Sequence, residues 1–324
     1  MIPPSLSVSL RQHLSRDAGQ WPAFIVMIGV LALFIIAGAA TPSFLTFGNA
    51  LVIVRAASMT GIVAVGMSVI TLSGNLFALS AASLGAFLAV IFAIVTASLG
   101  LAAGVVAVIV VAIAAGGLQG VAVVITGNPI IATLAFGAAF RGLASILSSN
   151  GVLRINGAAA IWIGTGRPLG VPTQSWAFLI LTVFAWFLIR RTSLGRRVIL
   201  TGASRDAAHA SGIGVDGVIC TALVIMSLMV AVVALFTVCQ FSEARANLFS
   251  GYDFDYIAAV LVGGIALRGG EGSPLQAALG AILISLLENL MLLNGFSAGL
   301  RIAIVGLVVV AATGTFHVLG RKHR

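Results

Sequence analysis

Charge is the scarcest property of this chain: 8% of its 324 residues are Asp, Glu, Lys or Arg, against about 25% in an ordinary soluble domain. With 60% hydrophobic residues and a mean hydropathy of +1.19, the shortage leaves no room for a soluble domain. Lysine is nearly missing. The sole one, Lys322, lies in the C-terminal tail and no GxxxxGK[ST] segment occurs, so the chain cannot build the usual nucleotide-binding loop. Cys220 and Cys239 are the only cysteines. Both fall in one apolar stretch, where a single helix would hold them about 28 Å apart, too far for a disulfide. The histidines, His13, His209, His317 and His323, are dispersed and offer no HExxH or other metal-ligand spacing. No Ser/His/Asp arrangement stands out. The expectation is therefore no catalytic residue, no metal and no cofactor on this chain. A net charge of +9 raises the question of nucleic acid, but the arginines are scattered at the ends of apolar segments, with no aromatic-rich basic face.

What is abundant is apolar sequence in lengths that suit a bilayer. A helix needs about 20 mainly apolar residues to cross the hydrocarbon core. Such runs predict an all-α polytopic membrane protein of about ten segments, at 22–40, 51–72, 76–98, 101–126, 129–149, 174–190, 216–240, 256–267, 275–293 and 298–318. Residues 1–21 read as an N-terminal tail, 22–318 as one membrane domain, and 319–324 as a basic tail. The run from Trp21 to Ala40 is longer than the apolar part of a signal peptide, so it reads as a retained first span. Segment 256–267 is too short to cross alone. Gly263-Gly264 and Gly269-Gly270 flank its end, as expected of a broken helix lining a protein cavity. The 38 glycines lie mostly inside apolar runs, which points to close helix contacts.

Arginine placement predicts orientation. Arg11 and Arg16 precede the first span, Arg190, Arg191, Arg196, Arg197 and Arg205 fill the largest polar loop, and Arg321, Lys322 and Arg324 end the chain. Ten spans with both termini inside put all three clusters on the cytoplasmic side. The expected outer loops 150–173 and 241–255 hold only Arg154, Arg167 and Arg245. In the large cytoplasmic loop, 190–215, Ser204 suits an N-cap, Asp206 a first turn and Gly212 the C′ position. A short polar helix at about 205–211 would lie along the membrane surface as a docking element; the bland reading is a solvated loop.

Ionisable residues inside spans are costly and therefore candidates for function. Glu288 in the ninth segment could face a translocation path, or pair structurally with a buried arginine such as Arg141. Arg55 and Arg141 lie near segment ends, where they can snorkel. Asp253 and Asp255 open the eighth segment, and capping of that helix explains Asp255 simply.

Two segments add a resemblance. The first carries Leu194-Gly195-Arg196, then Ala207-Ala208 and Ser211-Gly212-Ile213. The second runs from Gly251-Tyr252-Asp253-Phe254-Asp255-Tyr256 through Gly263-Gly264 to Arg268-Gly269-Gly270-Glu271-Gly272-Ser273. Their order and separation resemble the permease subunits of bacterial ABC importers of the ribose, xylose and arabinose type, over roughly residues 45–315. The resemblance implies an inner-membrane subunit working as a pair with a second copy or a related permease. It would receive a monosaccharide from a periplasmic binding protein and be driven by an ATPase with two nucleotide-binding cassettes that carries ATP and Mg. It further implies a coupling site at Gly195, Arg196, Gly202, Ser204, Asp206, Ala207, Ala208, Ser211 and Gly212. Asn75, Ser80, Gly263, Gly264 and Glu288 would lie along the path. One departure is that Ser73-Gly74-Asn75-Leu76-Phe77-Ala78-Leu79-Ser80 stands where many relatives carry Gly-Ile-Asp-Leu-Ser-Val-Gly. The rival readings are a permease of the same group for branched-chain amino acids or nucleosides, an ion-coupled secondary transporter using Glu288, and a membrane-embedded enzyme, for which no catalytic constellation is present.

Overall fold

The computed structural model describes residues 44–321 except Leu76, together with Ile28, Gly29, Ala32, Phe34–Ile36, Gly38 and Thr41, with side chains described as far as Ala312. The expected first span, 22–40, and both tails fall mostly outside these residues. Among those described, the helices are α1 (Phe47–Leu72), α2 (Ala81–Leu99), α3 (Leu101–Thr126), α4 (Pro129–Leu147), α5 (Ala158–Thr165), α6 (Thr173–Arg191), α7 (Ser193–Ala203), α8 (Arg205–Ala210), α9 (Val215–Phe241), α10 (Tyr252–Val262), α11 (Pro274–Leu293) and α12 (Ala298–Arg321). Two short strands, β1 (Leu153–Arg154) and β2 (Glu243–Ala244), complete the set. Seven of the helices, α1–α4, α6, α9 and α11, are long and apolar enough to cross a bilayer. The chain is thus an all-α, multi-pass membrane protein.

The helix ends follow local chemistry. Thr46 accepts a hydrogen bond from the Asn49 amide at the start of α1, and Asn128 accepts from Ile130 and Ile131 at the start of α4. Pro129 and Pro274 occupy the first positions of α4 and α11, where a missing N–H costs nothing. Gly127, at φ +63°, ends α3 in the left-handed conformation.

Helices α1 and α9 form the centre. From Thr60 to Leu72 every residue of α1 is buried, against α11, α9, α6 and α10. The opposite flank of α9 meets α3, and there the packing rests on Gly116 and Gly120. A Cβ at Gly116 would lie 2.7 Å from Val224 Cα, and one at Gly120 would lie 2.6 Å from Cys220 Cα. Lipid tails are as apolar as leucine, so helix association in a bilayer depends on such close backbone approach. Across the core, Asn49 of α1 and Asn289 of α11 exchange two amide hydrogen bonds, of 3.0 and 2.9 Å.

Two parts of the sequence reading need correction. The loop 190–215 is not a loop with one short helix. Residues 193–203 form a second helix, α7, capped by Thr192. It buries Gly195, Val198, Thr201 and Gly202 on one face and exposes Arg196 and Arg197 on the other. Its arginines disguised an amphipathic helix as a solvated stretch. Segment 256–267 begins and ends earlier than expected, as α10 at Tyr252–Val262, and the segment at 76–98 becomes helical only at Ala81.

The ends of the bundle are distinct. At one, which we call the basic end, lie α7, α8 and Arg190, Arg191, Arg196, Arg197 and Arg205, with the Ser73–Asn75 and Arg268–Gly270 turns packed against them. At the other, the strand end, β1 and β2 pair antiparallel with Leu153 opposite Ala244 and Arg154 opposite Glu243, which joins the 150–173 and 241–255 connections. Helix α5 packs there on α9. Gly164 fits against the Cys239–Gln240 peptide, while Gln174, fully buried, donates to the Gly164 carbonyl.

The α3–α9 contact yields a paired test. Gly120→Ala should destabilise the protein in detergent by about 1–3 kcal/mol, because the new methyl meets backbone. Gly117→Ala, where the space is open, should leave the thermal midpoint unchanged or slightly raised, and equal midpoints for the two variants would contradict the packing.

Candidate functional site

Two interruptions in the helical bundle frame the site. The first is Ser73–Ser80, between α1 and α2; the second is Gly263–Ser273, between α10 and α11. Backbone that leaves the helix at membrane depth must find other partners, and here each interruption is satisfied by named groups. Gly270 donates its amide to the Leu72 carbonyl at 3.0 Å. Leu79 donates its amide to Thr133 Oγ1 of α4 at 3.1 Å, and Ser80 donates its hydroxyl to Gln119 Oε1 of α3. The Ala82 amide at the start of α2 donates to Asp253 Oδ1 of α10 at 2.9 Å.

Asp253 therefore caps α2, a different helix from its own. Helix α10 starts at Gly251, in the left-handed conformation, with no side-chain cap. Asp255 does not cap it either: its carboxyl shares a side-chain hydrogen bond with Glu288 of α11, and Arg301 of α12 is the nearby cation. Of the readings open for Glu288, an arginine does lie near it, but it is Arg301 rather than Arg141; Arg141 is exposed. The two acidic side chains thus face each other across α10 and α11.

At the strand end a cleft of about 420 Å³ is lined by Arg141, Ser145, Asn150, Arg245, Asn247 and Ser250, among others. Its walls are largely polar, with two arginines among them. At the basic end a smaller groove, about 260 Å³, runs between α3, α8 and the start of α9, past Arg205, Asp206, His209 and Asp216.

The residues expected from sequence fall into separate places. Helix α8 has the anticipated form: Ser204 Oγ accepts from the Ala207 amide, and Gly212 takes a left-handed φ of +75° just past its end. Arg196, Ser204, Asp206, Ala207, Ser211 and Gly212 are exposed on the basic end, whereas Gly195, Gly202 and Ala208 are buried within the chain. Gly195 lies against the Ile189 backbone and Gly202 against Leu72 and Gly270. Of the expected path residues, Asn75 and Ser80 sit at opposite ends of the first interruption, both buried. Gly263 packs on the Gln276 backbone and Gly264 has φ +83°, and Glu288 is half-buried beside Asp255. Sequence reasoning missed Arg205, Gln119, Thr133 and Arg301. Their roles come from long-range partners that no local pattern reveals.

The carboxyl pair makes a clear prediction. Glu288→Gln can still donate to and accept from Asp255, so its thermal midpoint in detergent should stay within a few degrees of the parent. Glu288→Leu removes that partner and should lose about 1–3 kcal/mol of stability. Equal losses for Gln and Leu would show that the hydrogen bond contributes nothing.

Comparison with known proteins places this architecture. The family model described as "Branched-chain amino acid transport system / permease component" matches residues 49–313. The chain is 30% identical over 293 residues to the Ribose import permease protein RbsC of Escherichia coli K12, covering 88% of this chain and 91% of that one. It is 30% identical over 314 residues to the Probable ABC transporter permease protein YphD of the same organism, covering 96% and 93%. With the L-arabinose transport system permease protein AraH of Escherichia coli K12 it shares 28% over 297 residues, covering 90% and 89%. No solved structure matches it. With its interrupted helices lying wholly inside the matched region, this chain belongs to the family of branched-chain amino acid transport system permease components, a transport subunit rather than an enzyme.

Proposed function

We propose that the chain is the transmembrane subunit of an ATP-driven importer that brings a small polar solute, a monosaccharide, across the inner membrane. The observation that carries the reading is α8: a capped polar helix exposed at the basic end and hydrogen-bonded to the Ser73–Ser80 interruption of the bundle. A chain without a nucleotide-binding loop must take its energy from a partner. An exposed helix joined to the path is where such a partner can bias two arrangements of the bundle. The partner is an ATPase subunit with two cassettes, which holds the ATP and Mg; this chain binds no cofactor.

The remaining assembly follows the same logic. The polar cleft at the strand end receives solute from a periplasmic binding protein, and a second permease, identical or related, completes the pathway. The concentration of arginine at the basic end supports a cytoplasmic position for it. That is consistent with ten spans, both termini inside, and one membrane domain at 22–318. Sugar rather than amino acid is favoured by the two named sugar permeases that align over most of both chains.

The test must avoid Gly202, because a side chain there would strike the Leu72 and Gly270 backbones and report folding instead of docking. Ala207→Trp and His209→Trp alter only exposed positions of α8. They should leave membrane insertion and thermal midpoint unchanged while lowering ATPase association and ATP-driven sugar uptake about tenfold or more; undiminished uptake would refute the docking role. In the same assay, ATP-driven uptake by Glu288→Gln separates this reading from an ion-coupled transporter, which would lose all transport.

A further inference from the structure

Helix α8 is connected to the membrane core by few routes. Through the chain it leads back to α7 and forward to α9. Helix α9 packs against α3 with close backbone approach at Gly116 and Gly120. Among the described residues, Arg205 is the side chain of α8 that hydrogen-bonds another element. Its Nη2 donates to Asn75 Oδ1 at 2.7 Å and to the Gly74 carbonyl at 3.3 Å. The shorter contact is a charge-assisted bond to a side chain that is only 2% exposed, the kind that loses most when one partner is removed.

The bond continues inward. Asn75 Nδ2 donates to Ser73 Oγ at 2.9 Å, and Ser73 Oγ donates to the Ile70 carbonyl in the last turn of α1 at 2.7 Å. Around this chain of bonds three backbones cross with almost no side chain between them. A Cβ at Gly269 would lie 2.5 Å from Gly74 Cα and 3.1 Å from Gly202 Cα, and one at Gly270 would lie 2.8 Å from the Ala203 nitrogen. The end of α1, the end of α7 and the turn after α10 therefore meet at one point. Beyond it, the interruption is held at Leu79 by Thr133, and the first turn of α2 that follows it is held at Ala82 by Asp253. The connection after α10 thus touches the start of the interruption through Gly269–Gly270, and α10 itself reaches the adjoining first turn of α2 through Asp253.

We infer that Arg205 and Asn75 are positioning residues, a two-residue link that carries movement of α8 into the Ser73–Ser80 interruption and, through Asp253, into α10. The inference rests on the reading of α8 as the ATPase-docking helix. Arg205 would then set the geometry of the path without touching solute or nucleotide. Because Lys keeps the charge but not the planar fork, Arg205→Lys should fall between the parent and Arg205→Ala.

The experiment has two arms. In the first, the chain alone, with Cys220→Ala, Cys239→Ala and Ala78→Cys, is placed in nanodiscs and its maleimide labelling rate is measured. Ala78 lies within the interruption and is buried. Arg205→Ala and Asn75→Ala should each raise the rate about fivefold, and the double variant should go no further, as for two members of one link. In the second arm the assembled importer is reconstituted with its ATPase and binding protein. Arg205→Ala should keep ATPase association but lower sugar taken up per ATP about tenfold. If Arg205→Ala does not fold, Arg205→Lys and Asn75→Ser give the same comparison at smaller amplitude. Unchanged labelling, or uptake per ATP within about twofold of the parent, overturns the link. Absence of ATP-driven uptake by the unaltered importer instead overturns the docking reading, while the labelling arm still judges the link by itself.

Discussion

Hydrocarbon offers no hydrogen bonds, and that constraint governs this structure more than any single contact. An unsatisfied peptide group at membrane depth costs several kcal/mol, so a helix can be interrupted there only where protein replaces water. Both interruptions draw partners from distant sequence: in the first Thr133 accepts from the Leu79 amide and Gln119 from the Ser80 hydroxyl, and in the second Leu72 accepts from the Gly270 amide. Each partner ties the interrupted segment to a different helix. Irregular backbone, usually the loosest part of a fold, is here among the most cross-connected.

That requirement also explains where charge is found. Asp253 is inside the bundle because the α2 N-terminus needs an acceptor, and the carboxylate suits the positive end of a helix dipole. Asp255 and Glu288 satisfy each other with Arg301 close by. Asn49 and Asn289 do the same without charge. In an apolar surround such pairs fix which faces of two helices meet, so they specify register more than they add stability.

Much of the fold was legible in the sequence, and for plain reasons. Long apolar runs can be little else than spans, and Ser204, Asp206 and Gly212 announce a short helix because capping is local chemistry. What escaped notice was non-local. Helix α7 was hidden because Arg196 and Arg197 dominate its composition while its buried face is made of Gly195, Val198, Thr201 and Gly202. Asp253 serves α2 rather than its own helix, and nothing in its neighbourhood points to Ala82, 171 residues away. Arg205 counted as one more topological arginine until its bond to Asn75 placed it. The glycines were recognised as packing residues in general, but only coordinates tell which of them meet backbone and which, like Gly117, face open space.

The α3–α9 contact carries a consequence for how such a bundle can change shape. Gly116 and Gly120 bring α9 so near that Val224 and Cys220 seat in notches four residues apart. A slip along the axis would carry the Val224 and Cys220 Cα atoms out of these notches and towards the side chains that flank them on the same face of α3. The two helices are therefore keyed like a ratchet with a single tooth position. Any transition between inward- and outward-facing shapes must treat them as one beam and find its pivot elsewhere.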